Sequence, residues 1–190
     1  GTTIQLYAVK ALSRTGSGWL SDIIEGIQWC IDNNMKVINM SFGSASGNVS
    51  FHDAIIKAYQ AGIVMVAAAG NESTSVSYPA KYPETIAVTA TDSNNSLAYF
   101  SNYGPETDLA APGVGVSSTY LGGGYRTLSG TSMAAPHVTG AAALKLALNG
   151  ALSPDQVRAA LMATAEPLLN LTADQQGAGL VDAYKLVTTP

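Results

Sequence analysis

Cysteine is almost missing. Cys30 is the only one in 190 residues, so no internal disulfide can form. It falls at an apolar position of a helix-spaced run, where a thiol behaves as a small hydrophobe and is expected to be buried. Charge is sparse as well: Asp, Glu, Lys and Arg make up 12% of the chain, the net charge is -4, and Lys and Arg form no cluster. That balance speaks against nucleic acid or an anionic membrane surface as a partner. No apolar run approaches the roughly 20 residues of a membrane-spanning helix. Histidine is limited to His52 and His137. The chain opens GTTIQLYAVKAL, with neither an initiator Met nor a signal-peptide pattern, and is expected to be a mature, cut or engineered fragment.

What is present points to one compact body. Hydrophobic residues reach 47% and glycine numbers 19, which suits a single domain with a buried core and many tight loops. Residues 4–10 read as a buried strand, and Leu20, Ile23, Ile24, Ile27, Cys30 and Ile31 follow at helical spacing. KVINMSFG, GIVMVAAAG and TIAVTATD read as strands, with a helix over 51–60 between the first two. Strands alternating with helices predict an α/β fold: a doubly wound, mostly parallel sheet with helices on both faces. After residue 92 the pattern changes to turns and short extended pieces. Three helices are then expected: an Ala-rich one from Thr131 to Leu148, one opening at Ser153-Pro154-Asp155-Gln156 with a capping box, and one over 179–186. Five Asn-x-Ser/Thr matches, at Asn39, Asn48, Asn71, Asn94 and Asn170, carry little weight in a chain this rich in Asn and Ser.

In an open α/β sheet, ligands sit outside the carboxyl ends of the strands. Gly16–Gly18, Ser41–Ser44 and Ala67–Ser73 are expected to meet there. Ser132, in SGTSMAAPH, stands where the Ala-rich helix begins. The first N–H groups of a helix lack intrahelical partners and carry the positive end of its dipole, so an oxyanion forming beside Ser132 would be stabilised. The stretch alone also fits a plain helix cap. Asn71 ends an apolar strand, and a side-chain amide there can serve as an oxyanion donor or as ordinary turn chemistry.

SGTSMAAPHVTG, AAAGNES, VINMSFGS, YPAKYPETIAV and FSNYGPETDLAAPG together resemble the subtilisin-like serine proteases, in the family's order and at its approximate spacing. The resemblance covers essentially the whole chain, and residues 1–190 resemble the C-terminal two-thirds of one bacterial subtilisin-type catalytic domain. It implies Ser132 as nucleophile, Asn71 as side-chain donor of the oxyanion hole, Thr131 as its support and Met133 as the oxidation-prone neighbour. Gly16, Ser17 and Gly18, and Ser41, Phe42 and Gly43, resemble two backbone segments that clamp an extended substrate. Ala68, Ala69, Gly70 and Ser77 resemble walls of the pocket for the residue before the cut bond. Leu12, Leu20, Ile23 and Phe42 resemble a more distant apolar pocket. The first pocket is expected to prefer apolar or aromatic side chains, since no acidic residue falls at its expected base. Carbonyls of Ala80, Tyr82 and Thr85, with Glu106 and Asp108, resemble a structural Ca2+ or Na+ site, with a loop bearing two solvated carboxylates as the alternative. Catalysis needs no cofactor, and the family's habit is secretion.

The family orders its triad Asp, His, Ser along the chain, and only the Ser is matched here. His137 lies five residues past Ser132, about 500° around a helix, and would not face it. His52 matches no catalytic position, and Asp32, Asp53 and Asp92 fit solvated or turn positions. The triad Asp and His are therefore expected from residues absent from this chain, carried by an N-terminal companion polypeptide, and the chain alone is expected to be inactive or nearly so. The expected function is a serine endopeptidase cutting peptide bonds through an acyl-enzyme on Ser132. The alternatives are a peptide-binding module or an autolysis product.

Overall fold

A computed structural model describes residues 4–189. Its elements are α1 (Leu20–Asp32), β1 (Val37–Met40), α2 (Val49–Gln60), β2 (Val64–Ala68), β3 (Thr85–Thr91), β4 (Thr107–Pro112), β5 (Val116–Tyr120), β6 (Gly124–Leu128), α3 (Thr131–Leu148), α4 (Pro154–Thr164), α5 (Ala173–Gln176) and α6 (Ala183–Thr188). β1 to β4 form a parallel sheet in that order, with Val37 opposite Val64, Met65 opposite Thr85 and Val88 opposite Leu109.

Both faces of this sheet are covered. Successive side chains of a strand point to opposite faces, and β2 shows what that demands: every residue is buried. Val64, Val66 and Ala68 pack with Ala134, Ala135 and Val138 of α3. Met65 and Ala67 pack on the other side with Ile27 of α1 and Ile55 of α2. The near-continuous apolar run of β2 is the sequence signature of that double coverage. The fold is α/β, a parallel sheet with helices on both faces.

Local chemistry sets the helix starts. Asn48 accepts the Phe51 N–H at 3.1 Å, so α2 begins at Val49, slightly before the expected 51–60 span. α4 carries the full capping box: Ser153 Oγ accepts from Gln156 N, and Gln156 Oε1 accepts from Ser153 N at 2.8 Å. α6 starts at Ala183, not at 179. Gly179 sits at φ 134°, and Leu180 is bridged to Glu166 and Ala110, so the chain stays extended until Asp182 caps the helix.

Two other expectations change. Residues 4–10 form no strand, and Leu6 is 96% exposed. A strand needs a ladder partner, and among the described residues β1 pairs only with β2. The segment lies instead along α1, with the Tyr7 and Trp29 rings 6.1 Å apart. Beyond residue 92, β4 is a full, largely buried member of the sheet, and β5 and β6 form an exposed antiparallel hairpin leading straight into α3. Cys30 is buried as expected, and burial pushes its thiol above the ordinary value.

Candidate active site

The site assembles where the ends of β1 and β2 meet the start of α3. Ser132 is the second residue of α3, directly after the hairpin and the Gly130 turn. Pro136 lies four residues on and has no N–H, so the Ser132 carbonyl loses its helical partner. Ser41, just past β1, replaces it: its Oγ donates to Ser132 O at 2.8 Å. The contact is reciprocal, because Ser132 Oγ donates to Ser41 O at 3.1 Å. Asn39 Nδ2 in turn donates to Ser41 Oγ at 2.9 Å, and Thr139 Oγ1 donates to Asn39 Oδ1 at 3.0 Å. The strand end and the helix start are thereby held as one unit.

Thr131 is fully buried and does two things at once. Its N–H and its Oγ1 lie 2.8 and 3.0 Å from Asn71 Oδ1, and Gly70 N donates to its Oγ1 at 3.1 Å. A backbone N–H can only donate, so the Asn71 atom it meets must be the oxygen. The Nδ2 group, at the other end of the amide, is turned away from Thr131. Of the first three N–H groups of α3, those of Thr131 and Met133 are taken by Asn71 and by Gly130 O, whereas Ser132 N has no acceptor among the described residues. A side-chain amide and a helix-terminal N–H beside one hydroxyl can stabilise a developing oxyanion.

Two clefts flank this centre. The first, about 330 Å³, is lined by Ala68, Gly70, Asn71, Ser77, Thr131 and Ser132 among others. Ala69 does not line it; as the alternate residue of the strand end it faces the α1–α2 side and is fully buried. The second, about 520 Å³, brings Gly16, Ser17 and Gly18 together with Phe42 and Gly43, over an apolar floor that includes Leu12, Leu20 and Ile23. Between them the chain is tied by Ser44 N to Tyr78 O (2.8 Å) and Tyr78 N to Ser44 O (2.9 Å).

Glu72 and Asn102 are functional candidates that the sequence alone does not reveal. Glu72 is one of the residues lining the first cleft. Its Oε2 accepts from Asn71 N at 2.9 Å and from Asn102 Nδ2 at 2.7 Å. The acid is visible in GNES, but which way it faces depends on Asn102, thirty positions away, and no local pattern announces that partner.

The other ionisable candidates are engaged elsewhere. His52 stacks on Tyr82 with ring centroids 4.1 Å apart and meets Glu84 Oε2 at 2.9 Å. His137 is exposed, and its Nδ1 lies 2.9 Å from Met133 O. Asp92 holds a turn through Asn94 N and Ser96 N, Asp32 accepts from Gln28, and Asp53 is exposed. The carbonyls of Ala80 and Tyr82 converge with that of Pro79 on the Thr85 hydroxyl, at 3.3, 2.9 and 2.8 Å. Glu106 pairs with Lys81 at 3.4 Å, and Asp108 is bound by Arg158 and Ala87 N. Both carboxylates are thus paired with cationic side chains, so a cation here would rest on the backbone carbonyls. Among the described residues no three His, Cys, Asp or Glu side chains gather as a metal cluster.

A model of the subtilase family matches residues 2–182. The chain is 52% identical over 182 residues to subtilisin amylosacchariticus of Bacillus subtilis subsp. amylosacchariticus, covering 93% of this chain and 47% of that protein. It is 51% identical over 170 residues to subtilisin DY of Bacillus licheniformis, covering 87% of this chain and 62% of that protein. Similarity to the alkaline elastase YaB of Bacillus sp. (strain YaB) reaches 47% over 181 residues, covering 95% of this chain and 47% of that protein. The chain spans about half the length of most of the curated relatives it matches.

Proposed function

The chain belongs to the subtilase family of serine proteases, and we propose that it carries the nucleophile side of a serine endopeptidase. Ser132 Oγ attacks the carbonyl carbon of a peptide bond. Its proton passes to a base, the carbonyl oxygen becomes an oxyanion facing Asn71 Nδ2 and Ser132 N–H, and the base returns the proton to the leaving nitrogen as collapse expels the amine and leaves an acyl-enzyme. The observation that carries this reading is the double hydrogen bond from Thr131 to Asn71 Oδ1, which commits the oxygen and frees the amide donor. Both imidazoles of the chain are occupied away from Ser132, so the base and the Asp that orients it come from a companion segment outside these residues. Substrates are extended segments of proteins, gripped between residues 16–18 and 41–43. Secretion fits the relatives, and no described helix is long and apolar enough to cross a membrane.

A second reading, a peptide-binding clamp without catalysis, is favoured by one observation: Ser132 Oγ donates to the Ser41 carbonyl and not to a base. One experiment separates the two. The full protein containing this chain is incubated with an unfolded protein, beside a Ser132→Ala variant. Cleavage that falls by roughly 10⁶-fold in the variant, the loss known for subtilisin itself when its nucleophile is removed, supports the endopeptidase. Equal products from both, or binding without products, would overturn it.

A further inference from the structure

Asn39 sits on β1, where the pleat turns it to the same face as Val37, toward α3, while Ile38 and Met40 pack on the α1–α2 side. Its amide is held between two hydroxyls. Oδ1 accepts from Thr139 Oγ1 at 3.0 Å, and Nδ2 donates to Ser41 Oγ at 2.9 Å. Ser41 Oγ then donates at 2.8 Å to Ser132 O, the carbonyl that Pro136 deprives of a helical N–H. The proton count selects this direction, because a hydroxyl carries a single proton. With the Asn39 amide turned over, Ser41 would give its proton to Oδ1, and Ser132 O would have no donor among the described residues. The Thr139 hydroxyl also lies 3.0 Å from Ala135 O. That carbonyl already has the Thr139 N–H of the helix ladder, so the hydroxyl proton is available to Asn39.

We propose that Asn39 is a positioning residue for the nucleophile: aimed by Thr139, its amide commits the Ser41 hydroxyl to the Ser132 carbonyl and so fixes the backbone that carries Ser132 Oγ and the Ser132 N–H. The proposal rests on the endopeptidase reading above. Ser132 is clamped on both sides. Ahead of it, Asn71 Oδ1 holds Thr131 N at 2.8 Å; after it, Ser41 Oγ holds Ser132 O. The second clamp is a closed loop, since it leaves α3 at Thr139, crosses to the end of β1 and returns to α3 at Ser132, about two turns nearer the helix start. Asn39 lines neither cleft, so it acts only through Ser41. Without it the Ser41 proton has no fixed direction, the Ser132 carbonyl turns more freely, and the hydroxyl and N–H drift from the geometry that the reaction needs. Such misplacement lowers the rate of the chemical step and leaves the grip on substrate intact.

The test is steady-state kinetics of the full protein on a peptide substrate. Ser41→Ala is expected to lower kcat about tenfold and Asn39→Ala at least about threefold, the range of one lost hydrogen bond, with KM unchanged in Asn39→Ala. The double variant is expected to be no slower than Ser41→Ala, because Asn39 acts through that hydroxyl alone. Thr139→Val keeps the shape of its side chain and breaks the same chain from α3, so it carries the test if Asn39→Ala fails to fold. It is expected to slow kcat as Asn39→Ala does, and Thr139→Ser to restore the rate. Losses that multiply in the double variant, a rise in KM in place of the fall in kcat, or a Thr139→Ser enzyme as slow as Thr139→Val would overturn the proposal. Amide hydrogen exchange gives a second reading that needs no cleavage. Residues 131–134 are expected to exchange faster in Thr139→Val than in the wild type or Thr139→Ser, which supports the proposed hold on Ser132 even if the wild type cleaves nothing and the endopeptidase reading fails. Equal exchange in all three would overturn it.

Discussion

The N–H of Thr131 decides which end of the Asn71 amide can meet a substrate, and the Thr131 hydroxyl secures it. Removing the amide by Asn71→Ala should therefore lower kcat with little change in KM. The loss known for the corresponding asparagine of subtilisin is about 10²–10³-fold, and that enzyme's magnitude is the one expected here. Thr131→Val keeps the shape and the backbone N–H but removes the hydroxyl. One of the two bonds to Oδ1 survives, so a smaller loss, about tenfold in kcat, is expected, with Thr131→Ser restoring most of it. Steady-state kinetics on the full protein check both, and an unaltered Thr131→Val enzyme would mean that the N–H alone suffices. Ser132 and Asn71 are legible in the sequence because their chemistry lies within short motifs. Glu72 is visible there as a residue but not as a wall of the cleft, because Asn102 reaches it only when residues 99–103 close over 70–74.

At the level of elements, β4 and α4 are joined by the Asp108–Arg158 pair. Arg158 Nε and Nη2 meet the carboxylate at 2.9 and 2.7 Å, and Ala87 N adds a bond from β3. Burial pushes the Asp108 carboxyl above its ordinary value of 3.8, while Arg158 and the Ala87 N–H pull it back. Arg158→Met leaves that charge buried without its partner and should destabilise the fold by about 3 kcal/mol near neutral pH, the low end for such pairs because Arg158 keeps partial exposure. The sign of the pH effect follows from the raised value. A carboxyl that titrates higher when folded binds more protons in the native state, so its contribution is fully present below 3.8 and is lost as pH rises through the folded value. The Arg158→Met deficit should therefore shrink as pH falls from neutral through the raised folded value toward the ordinary 3.8, and urea melts at the two ends of that range read this directly. A deficit that grows on acidification would contradict the assignment. Ser153→Ala, which removes one half of the α4 capping box, should cost about 1 kcal/mol in the same melts. The capping box is legible because it is written in four consecutive residues. β4 is not, because TDLAAP carries Asp and Pro, and its burial rests on an arginine fifty positions later.

Across the whole molecule, apolar content states what a segment would bury and not whether a partner is there. Residues 4–10 have the composition of a buried strand, yet Ile4, Leu6 and Tyr7 are 48%, 96% and 52% exposed, and Trp19 nearby is 79% exposed. The outer edge of β1 has no ladder partner among the described residues. Under the proposed function, a companion segment would complete the sheet at this edge as well as the triad. Amide hydrogen exchange should show residues 5–9 and 37–40 better protected in the full protein than in this chain alone; equal protection would separate the missing base from the open edge. The central claim is that Ser132 is a nucleophile activated only by groups outside this chain. A fluorophosphonate probe, which reacts with an activated serine, read by intact mass and peptide mapping, tests it most directly. One adduct, on Ser132, is expected in the full protein, and none on the isolated chain in the same time. Rapid labelling of the isolated chain, or an adduct on another serine in the full protein, would contradict it.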